Sequence, residues 1–296
     1  MSTIGVLARP DLKEAGPTVA ALVAWLSGKG ARVCLDDATA ALGGGSLGSE
    51  CLLASGREMA GVADALVVLG GDGTLLAASR LLDKPIPVLG VNFGSLGFLT
   101  EITLAELYPA LEGVIEGRYE YEERRLLRAV VHRQGRPDVT SDVLNDVVIT
   151  KAGPSRIIEV DVSVDGLFVS SFRADGIIVS SPTGSTAYNL AAGGPILHPT
   201  LPAIALTPIC PHMLTNRPLV IDDSARVRVK LRDAREVEVH ISFDGQHGIR
   251  LSEEDEVVVS RSPRSLRLVR APARDYFEVL RAKLKWGESS ARQRSR

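Results

Sequence analysis

Three glycines and one carboxylate stand together at Gly70-Gly71-Asp72-Gly73-Thr74. They follow directly on the apolar run Ala65–Leu69 (ALVVL) and directly precede a stretch that reads as a helix. Peptide N–H groups unobstructed by Cβ atoms can close on a phosphate, and a helix start adds a favourable dipole. A carboxylate is out of place in a pure anion site, because like charges repel. It makes sense if it faces a hydroxyl that is to attack a phosphate, orienting that hydroxyl and taking its proton. The same five residues also read as a Gly-Asp-Gly turn with a solvated aspartate.

A second block spans 175–196, DGIIVSSPTGSTAYNLAAGGPI. Its apolar run 177–179 enters a Ser-Pro-Thr-Gly-Ser-Thr cluster of small hydroxyls and accessible amides, and Gly193-Gly194-Pro195 forces another turn. Such a loop suits a ribose or an adenine edge, and equally a turn that satisfies its own backbone. Other groupings carry less. Gly43-Gly44-Gly45-Ser46-Leu47-Gly48 fits both G-x-G-x-x-G and, from Gly44, G-x-S-x-G. It lacks the strand before and the helix after that both motifs need, so a flexible loop is expected. Leu76 occupies the third glycine position of a dinucleotide fingerprint after Gly71 and Gly73, and no Walker sequence occurs. His132, His198, His212, His240 and His247 show no metal-ligand spacing with one another or with cysteine, so no dedicated metal cage is expected.

The elements that must position these residues change character along the chain. Residues 3–7 form a short apolar run, and Pro17 stands at a helix start. Val19, Leu22, Val23 and Leu26 then share one helical face, closed by Gly28 and Gly30. Strands follow at 31–35, Ala65–Leu69 and 88–91, with helices at 74–82 and over Leu104, Leu107, Leu111 and Val114, closed by Gly117. Strands separated by helices imply crossovers and a parallel sheet covered on both faces. From Leu126 onward the period becomes two, clearest at 226–231 and 236–241, with shorter runs at 257–259 and 266–269. Asp165-Gly166 and Asp244-Gly245 are hairpin dipeptides. The fold class expected is therefore an α/β N-terminal domain with a parallel sheet plus an all-β, sandwich-like C-terminal domain. The boundaries expected are 1–123 for the domain carrying the glycine loop and 124–270 for the β-rich one. Residues 271–296, including a helix at 276–286, return to the first, and the last nine residues form a solvated tail.

With 296 residues, 45% hydrophobic and 24% charged, the composition is that of a globular protein large enough for two domains. A net charge of −2 offers no basic field for nucleic acid. No apolar run approaches the roughly 18 residues of a membrane helix. Arg9 and Pro10 interrupt the place where an export signal would be apolar. Cys34, Cys51 and Cys210, odd in number and far apart, are expected as buried thiols in a reducing compartment, with the cytoplasm as default.

Several segments recur in a fixed order: GGDGT at 70–74, NFGSLGFLTE at 92–101, Asn145-Asp146, the 175–196 block, PICPH at 208–212 with Asn216-Arg217-Pro218, and Asp244-Gly245-Gln246. Together they resemble the bacterial NAD kinases, over nearly the whole chain. GGDGT alone is shared with diacylglycerol, sphingosine and 6-phosphofructokinases; its combination with LGFLT and SPTGSTAY is far more specific. Ser181 stands where Thr is common, and keeps the hydroxyl.

The resemblance implies transfer of the γ-phosphoryl of ATP, or of polyphosphate, to the 2′-hydroxyl of the adenosine ribose of NAD. Asp72 matches the family's proton acceptor, the amides of Gly70, Gly71 and Gly73 would hold phosphate oxygens, and Mg2+ would arrive with ATP. Asn145, Asp146, Arg156, Arg173, Asp175, Thr186, Ala187, Tyr188, Asn189, Leu190, Ala191 and Gln246 match dinucleotide contacts, while His212 is read as structural. A homodimer or homotetramer is implied. Two readings stay open beside it: a lipid kinase of the diacylglycerol-kinase type, and a dinucleotide sensor without turnover.

Overall fold

The computed structural model describes residues 2–44, 47, 51–94, 96–153, 156–233, 237–271 and 274–286. The chain divides into two compact units, residues 1–123 with 266–296 and residues 124–265.

In the first unit β1 (Thr3–Ala8), α1 (Ala15–Gly28), β2 (Arg32–Leu35), α2 (Asp37–Gly43), β3 (Cys51–Leu53), α3 (Gly56–Val62), β4 (Ala65–Leu69), α4 (Asp72–Ser79), β5 (Pro87–Asn92), β6 (Ile102–Thr103) and α5 (Leu107–Ile115) alternate along the chain. The sheet order is β3-β2-β1-β4-β5, all neighbours parallel, with β6 beside β5. Every residue of β1, β4 and β5 is buried, as a strand covered on both faces requires. The expected face of α1 packs into this core, for Val19, Leu22, Val23 and Leu26 are all buried. Two boundaries differ from expectation. Helix α4 begins at Asp72 and not Thr74, because Gly71 is extended and its carbonyl already accepts from Thr74 and Leu75. Leu104 lies outside α5 and is exposed, in a turn that the Glu106 carboxylate holds by accepting from the Thr103 amide and hydroxyl at 2.9 and 2.7 Å. The Gly43–Gly48 loop follows α2, and its Gly45, Ser46 and Gly48 lie outside the described residues.

The second unit holds β7 (Tyr121–His132) from Arg124 onward, β8 (Val139–Val143), β9 (Asp146–Lys151), β10 (Ile158–Val164), β11 (Leu167–Ala174) and β12 (Gly176–Ser180). After a 3-10 turn (Thr183–Thr186) come α6 (Tyr188–Ala191), β13 (Ala203–Ile209), β14 (Leu219–Asp222), β15 (Val227–Asp233), β16 (Val239–Phe243), β17 (His247–Leu251) and β18 (Glu256–Val269). One antiparallel sheet runs β14-β13-β12-β9-β16-β17; the other runs β11-β10-β15-β18, with β7 pairing to β18 and β8. Inward residues of both sheets, Val147, Ile177, Val229 and Val257 among them, form one core. That is the sandwich-like domain the period of two implied. Val227, Val229 and Leu231 are buried while Arg228 and Lys230 face out. The hairpin dipeptides have φ of 51° and 81° at Asp165-Gly166 and 53° and 62° at Asp244-Gly245, the left-handed pair a tight hairpin turn needs.

The runs 257–259 and 266–269 are one continuous strand, β18, and not two. Within the first unit Arg267 and Leu268 of β18 pair in parallel with Pro87 and Val88 of β5. Helix α7 (Tyr276–Leu284) follows, started by a capping box of Asp275 and Glu278. Strand β16 begins at Val239, three residues later than the alternation suggested; Glu236 and the last nine residues lie outside the described residues. The cysteines are also corrected. Cys34 is buried, Cys51 half-buried and Cys210 exposed, because Cys210 follows β13 in a left-handed conformation (φ 46°) that turns it out of the sheet.

Candidate functional site

In an open parallel sheet, ligands gather at the carboxyl ends of the strands where the strand order reverses. Here that point lies between β1 and β4. A cavity of about 490 Å³ opens at this edge. Its walls are Arg9 after β1, Gly70, Gly71 and Asp72 after β4, Asn92 to Gly94 at the end of β5, and Lys283 of α7. Glycine is required at position 70, since a Cβ there would lie 2.5 Å from Thr74 Oγ1. Gly73 is exposed on the first turn of α4 and does not line the cavity.

The Asp72 carboxylate is held by the segment after β5. The amides of Leu99 and Thr100 donate to its Oδ1 at 3.0 and 3.1 Å, and the Thr100 hydroxyl donates to the same oxygen at 3.0 Å. The Phe98 amide donates to Oδ2 at 2.9 Å. The solvated Gly-Asp-Gly turn left open by the sequence is therefore not what forms. GGDGT and LGFLT, separate motifs in the sequence, are one structural object.

In the second unit Asn145 and Asp146 open β9 against the 181–184 segment. The Ser181 amide donates to the Asn145 carbonyl at 2.8 Å, and its hydroxyl donates to the Leu144 carbonyl at 2.5 Å while accepting from the Gly184 amide at 3.1 Å. Gly184 must be glycine, because a Cβ there would lie 2.2 Å from the Asn145 oxygen. Asn145 Oδ1 and Thr183 Oγ1 are buried with no hydrogen-bond partner. Thr183 was not singled out by sequence reasoning. Three of the cluster's neighbouring hydroxyls look alike in sequence, and only the structure shows that those of Ser181 and Ser185 are engaged internally.

Asp244 also gains a role the hairpin motif did not reveal. Its carboxylate accepts from the amides of Leu144, Asn145 and Asp146 at 3.0, 2.7 and 3.2 Å, fixing the start of β9. The Asp146 carboxyl is buried, and burial first, then the charge of Asp244, push its pKa up to about 7.

The remaining expected contacts are dispersed within this unit. Asp175, between β11 and β12, pairs with Lys151 at 2.8 Å. Arg156, Arg173 and Gln246 are exposed, as is Tyr188; Thr186, Ala187 and Leu190 are half-buried and Ala191 is exposed. Asn189 is 0% exposed. Its Nδ2 donates to the carbonyls of Ser185 and Pro195 at 3.2 and 3.0 Å, and its Oδ1 accepts from Thr207 at 2.7 Å. Its side chain thus staples the short helix to β13. His212 is exposed, with its amide donating to the Arg173 carbonyl at 2.9 Å.

Comparison with known proteins gives one consistent result. Residues 4–119 match the model of the ATP-NAD kinase N-terminal domain and residues 144–271 that of the C-terminal domain. An NAD kinase of Syntrophotalea carbinolica is 45% identical over 289 residues, covering 97% of this chain and 100% of the relative. One of Geotalea daltonii is 52% identical over 227 residues, 76% of this chain and 80% of the relative. Among solved structures, yeast NADH kinase complexed with NADH aligns with a TM-score of 0.85 at 26% identity, over 97% of this chain and 88% of that one. An NAD kinase from Archaeoglobus fulgidus in complex with ATP shares the fold, with a TM-score of 0.75 at 24% identity over 95% and 99%. Matched along both its units and by relatives spanning nearly its full length, the chain belongs to the ATP-NAD kinase family.

Proposed function

We propose that the protein phosphorylates NAD to NADP, moving the γ-phosphoryl of ATP to the 2′-hydroxyl of the adenosine ribose, with Asp72 as proton acceptor. The observation that carries this reading is a carboxylate beside Gly70 and Gly71, fixed in place by the amides of Phe98, Leu99 and Thr100, at the switch point of a parallel sheet. In a largely dissociative phosphoryl transfer the nucleophile's proton leaves late, so an aspartate contributes mainly by orienting the hydroxyl. The Gly71 amide, with Arg9 and Lys283, would face the phosphates; the Gly70 amide, expected to do the same, instead donates to the Val91 carbonyl at 2.9 Å and ties the loop to β5. Asn145 Oδ1 and Thr183 Oγ1 are suited to polar edges of the dinucleotide, and Asp146, Asp175, Thr186, Ala187 and Tyr188 are its further contacts by family resemblance.

Among the described residues no three His, Cys, Asp or Glu side chains gather into a metal cage. Beside Asp72, whose acceptor sites are taken by the 97–100 segment and the attacking hydroxyl, the cavity offers one carboxylate, Glu14. That fits Mg2+ delivered on the nucleotide, which keeps several waters and takes one or two carboxylates beside the substrate's phosphates. When bound, the ion neutralises charge on the phosphoryl oxygens. No helix of the described residues is long and apolar enough to cross a membrane. A cytoplasmic homodimer or homotetramer completes the reading.

The test is NADP formation by the purified chain from NAD or NADH with ATP or polyphosphate, with Mg2+ omitted as control. A diacylglycerol acceptor and NAD binding by calorimetry complete the set. Binding of NAD without NADP formation would make the protein a sensor and end the proposal.

A further inference from the structure

We infer that the 97–100 turn is the positioning element of the Asp72 carboxylate, with Thr100 as its positioning residue and Oδ2 as the atom left to meet the attacking hydroxyl. The inference rests on the proposed reaction and deepens it to a single oxygen.

A carboxylate oxygen has about two acceptor sites. Oδ1 of Asp72 receives three donors, the amides of Leu99 and Thr100 and the Thr100 hydroxyl. It has no capacity left. Oδ2 receives only the Phe98 amide, at 2.9 Å, and keeps an acceptor site. In the reaction a bond forms between the ribose oxygen and the γ-phosphorus, the bond from that phosphorus to the bridging oxygen breaks, and ADP leaves. The ribose hydroxyl proton passes to Oδ2.

The turn fits closely around the carboxylate. Thr100 is 0% exposed, and its hydroxyl has a fixed direction, since it donates to Asp72 and accepts from Asn92 Nδ2 at 3.5 Å. Two glycines admit the turn. A Cβ on Gly90 of β5 would lie 2.7 Å from the Leu99 carbonyl oxygen, so glycine there lets the turn seat directly on the strand. A Cβ on Gly97 would lie 2.1 Å from Asp72 Oδ1 and 2.3 Å from Thr100 Oγ1. The Gly97 amide closes the turn by donating to the Thr100 carbonyl at 3.2 Å. A helix-capping role does not account for this set, because the donors come from 26 to 28 residues further along the chain and not from α4.

The experiment measures steady-state kinetics of the full chain and of Thr100→Val, Thr100→Ser, Asp72→Asn and Thr100→Val with Asp72→Asn. Loss of one hydrogen bond to a charged group should lower kcat about 10- to 100-fold in Thr100→Val, with KM for NAD and for ATP within about twofold. Thr100→Ser should recover most of the rate. In the Asp72→Asn background the Thr100→Val change should alter the residual rate by less than about twofold, since there is then no carboxylate to orient. Unchanged kcat in Thr100→Val, a Ser variant no better than Val, or an equal loss in both backgrounds overturns the inference. Should Thr100→Val not fold, Thr100→Ala carries the same expectations. A wild-type chain that makes no NADP overturns the proposed function itself; wild-type turnover with Thr100→Val undiminished overturns this inference alone.

Discussion

Each unit presents one aspartate at the heart of its candidate site, and the two are treated oppositely by their surroundings. Asp72 receives four hydrogen bonds, three of them from main-chain amides. Asp146 is 4% exposed, and among the described residues nothing donates to its carboxyl; the three amides nearby are taken by Asp244. A buried carboxylate costs several kcal/mol unless donors or cations meet its charge. The same side chain is thus met by four donors in one unit and, with burial raising its pKa to about 7, holds a proton near neutrality in the other. What separates them is which backbone amides point at which oxygen.

The sharpest break of this comparison is Asp72→Asn. The amide keeps an oxygen for the three donors at the Oδ1 position, so the cradle survives. Its NH2 group then opposes the Phe98 amide, donor against donor, and cannot accept the ribose proton. NADP formation should fall by about 10²–10⁴-fold, with NAD affinity by calorimetry within about an order of magnitude. Turnover retained in that variant would remove Asp72 from the chemistry.

Asp146→Asn tests the other half. With its pKa raised to about 7, the folded chain holds a proton that the unfolded chain releases near pH 4. Stability from this group is full below pH 4 and is lost as pH rises through 7, where the folded state must carry a second charge beside Asp244. The asparagine variant should match wild type at pH 4, and exceed it by about 1–3 kcal/mol at pH 8, in urea unfolding. An equal difference at both pH values would mean that the Asp146 proton is not the cause.

The contrast also explains what could be read from sequence. Alternating strand and helix signals and the switch to a period of two were visible because burial on both faces of β4 and on one face of β15 writes itself into residue order. Asp72 was legible because glycines crowd it. Its partners were not, since peptide amides have no side-chain signature and the 97–100 turn meets α4 only through folding. Thr183 and Asn189 show the same limit. One is left without a partner and the other fully engaged, yet both are polar residues in one motif. The joining of two short runs into β18 escaped because Arg261 to Ser265 break the apolar pattern while the backbone stays extended.

Lys283 sharpens the comparison at its smallest scale, for the Asp72 cavity includes cations as well as donors. Nothing near position 283 in the sequence resembles a phosphate site, and α7 reaches the cavity from the far end of the chain. Arg9, the other cation on the wall, pairs with Asp11 at 2.8 Å, and both side chains are largely exposed. A half-buried lysine near bound phosphates should contribute as a screened point charge, about 0.5 kcal/mol per unit of charge removed. Lys283→Glu should therefore raise KM for ATP about five- to tenfold, Lys283→Gln about two- to threefold, and neither should change KM for NAD by as much as twofold. The shift should shrink as salt rises from about 0.05 to 0.5 M, because the charge is reached by solvent. A larger effect on NAD than on ATP would place Lys283 beside the acceptor and reverse the assignment of the cavity to the phosphate donor.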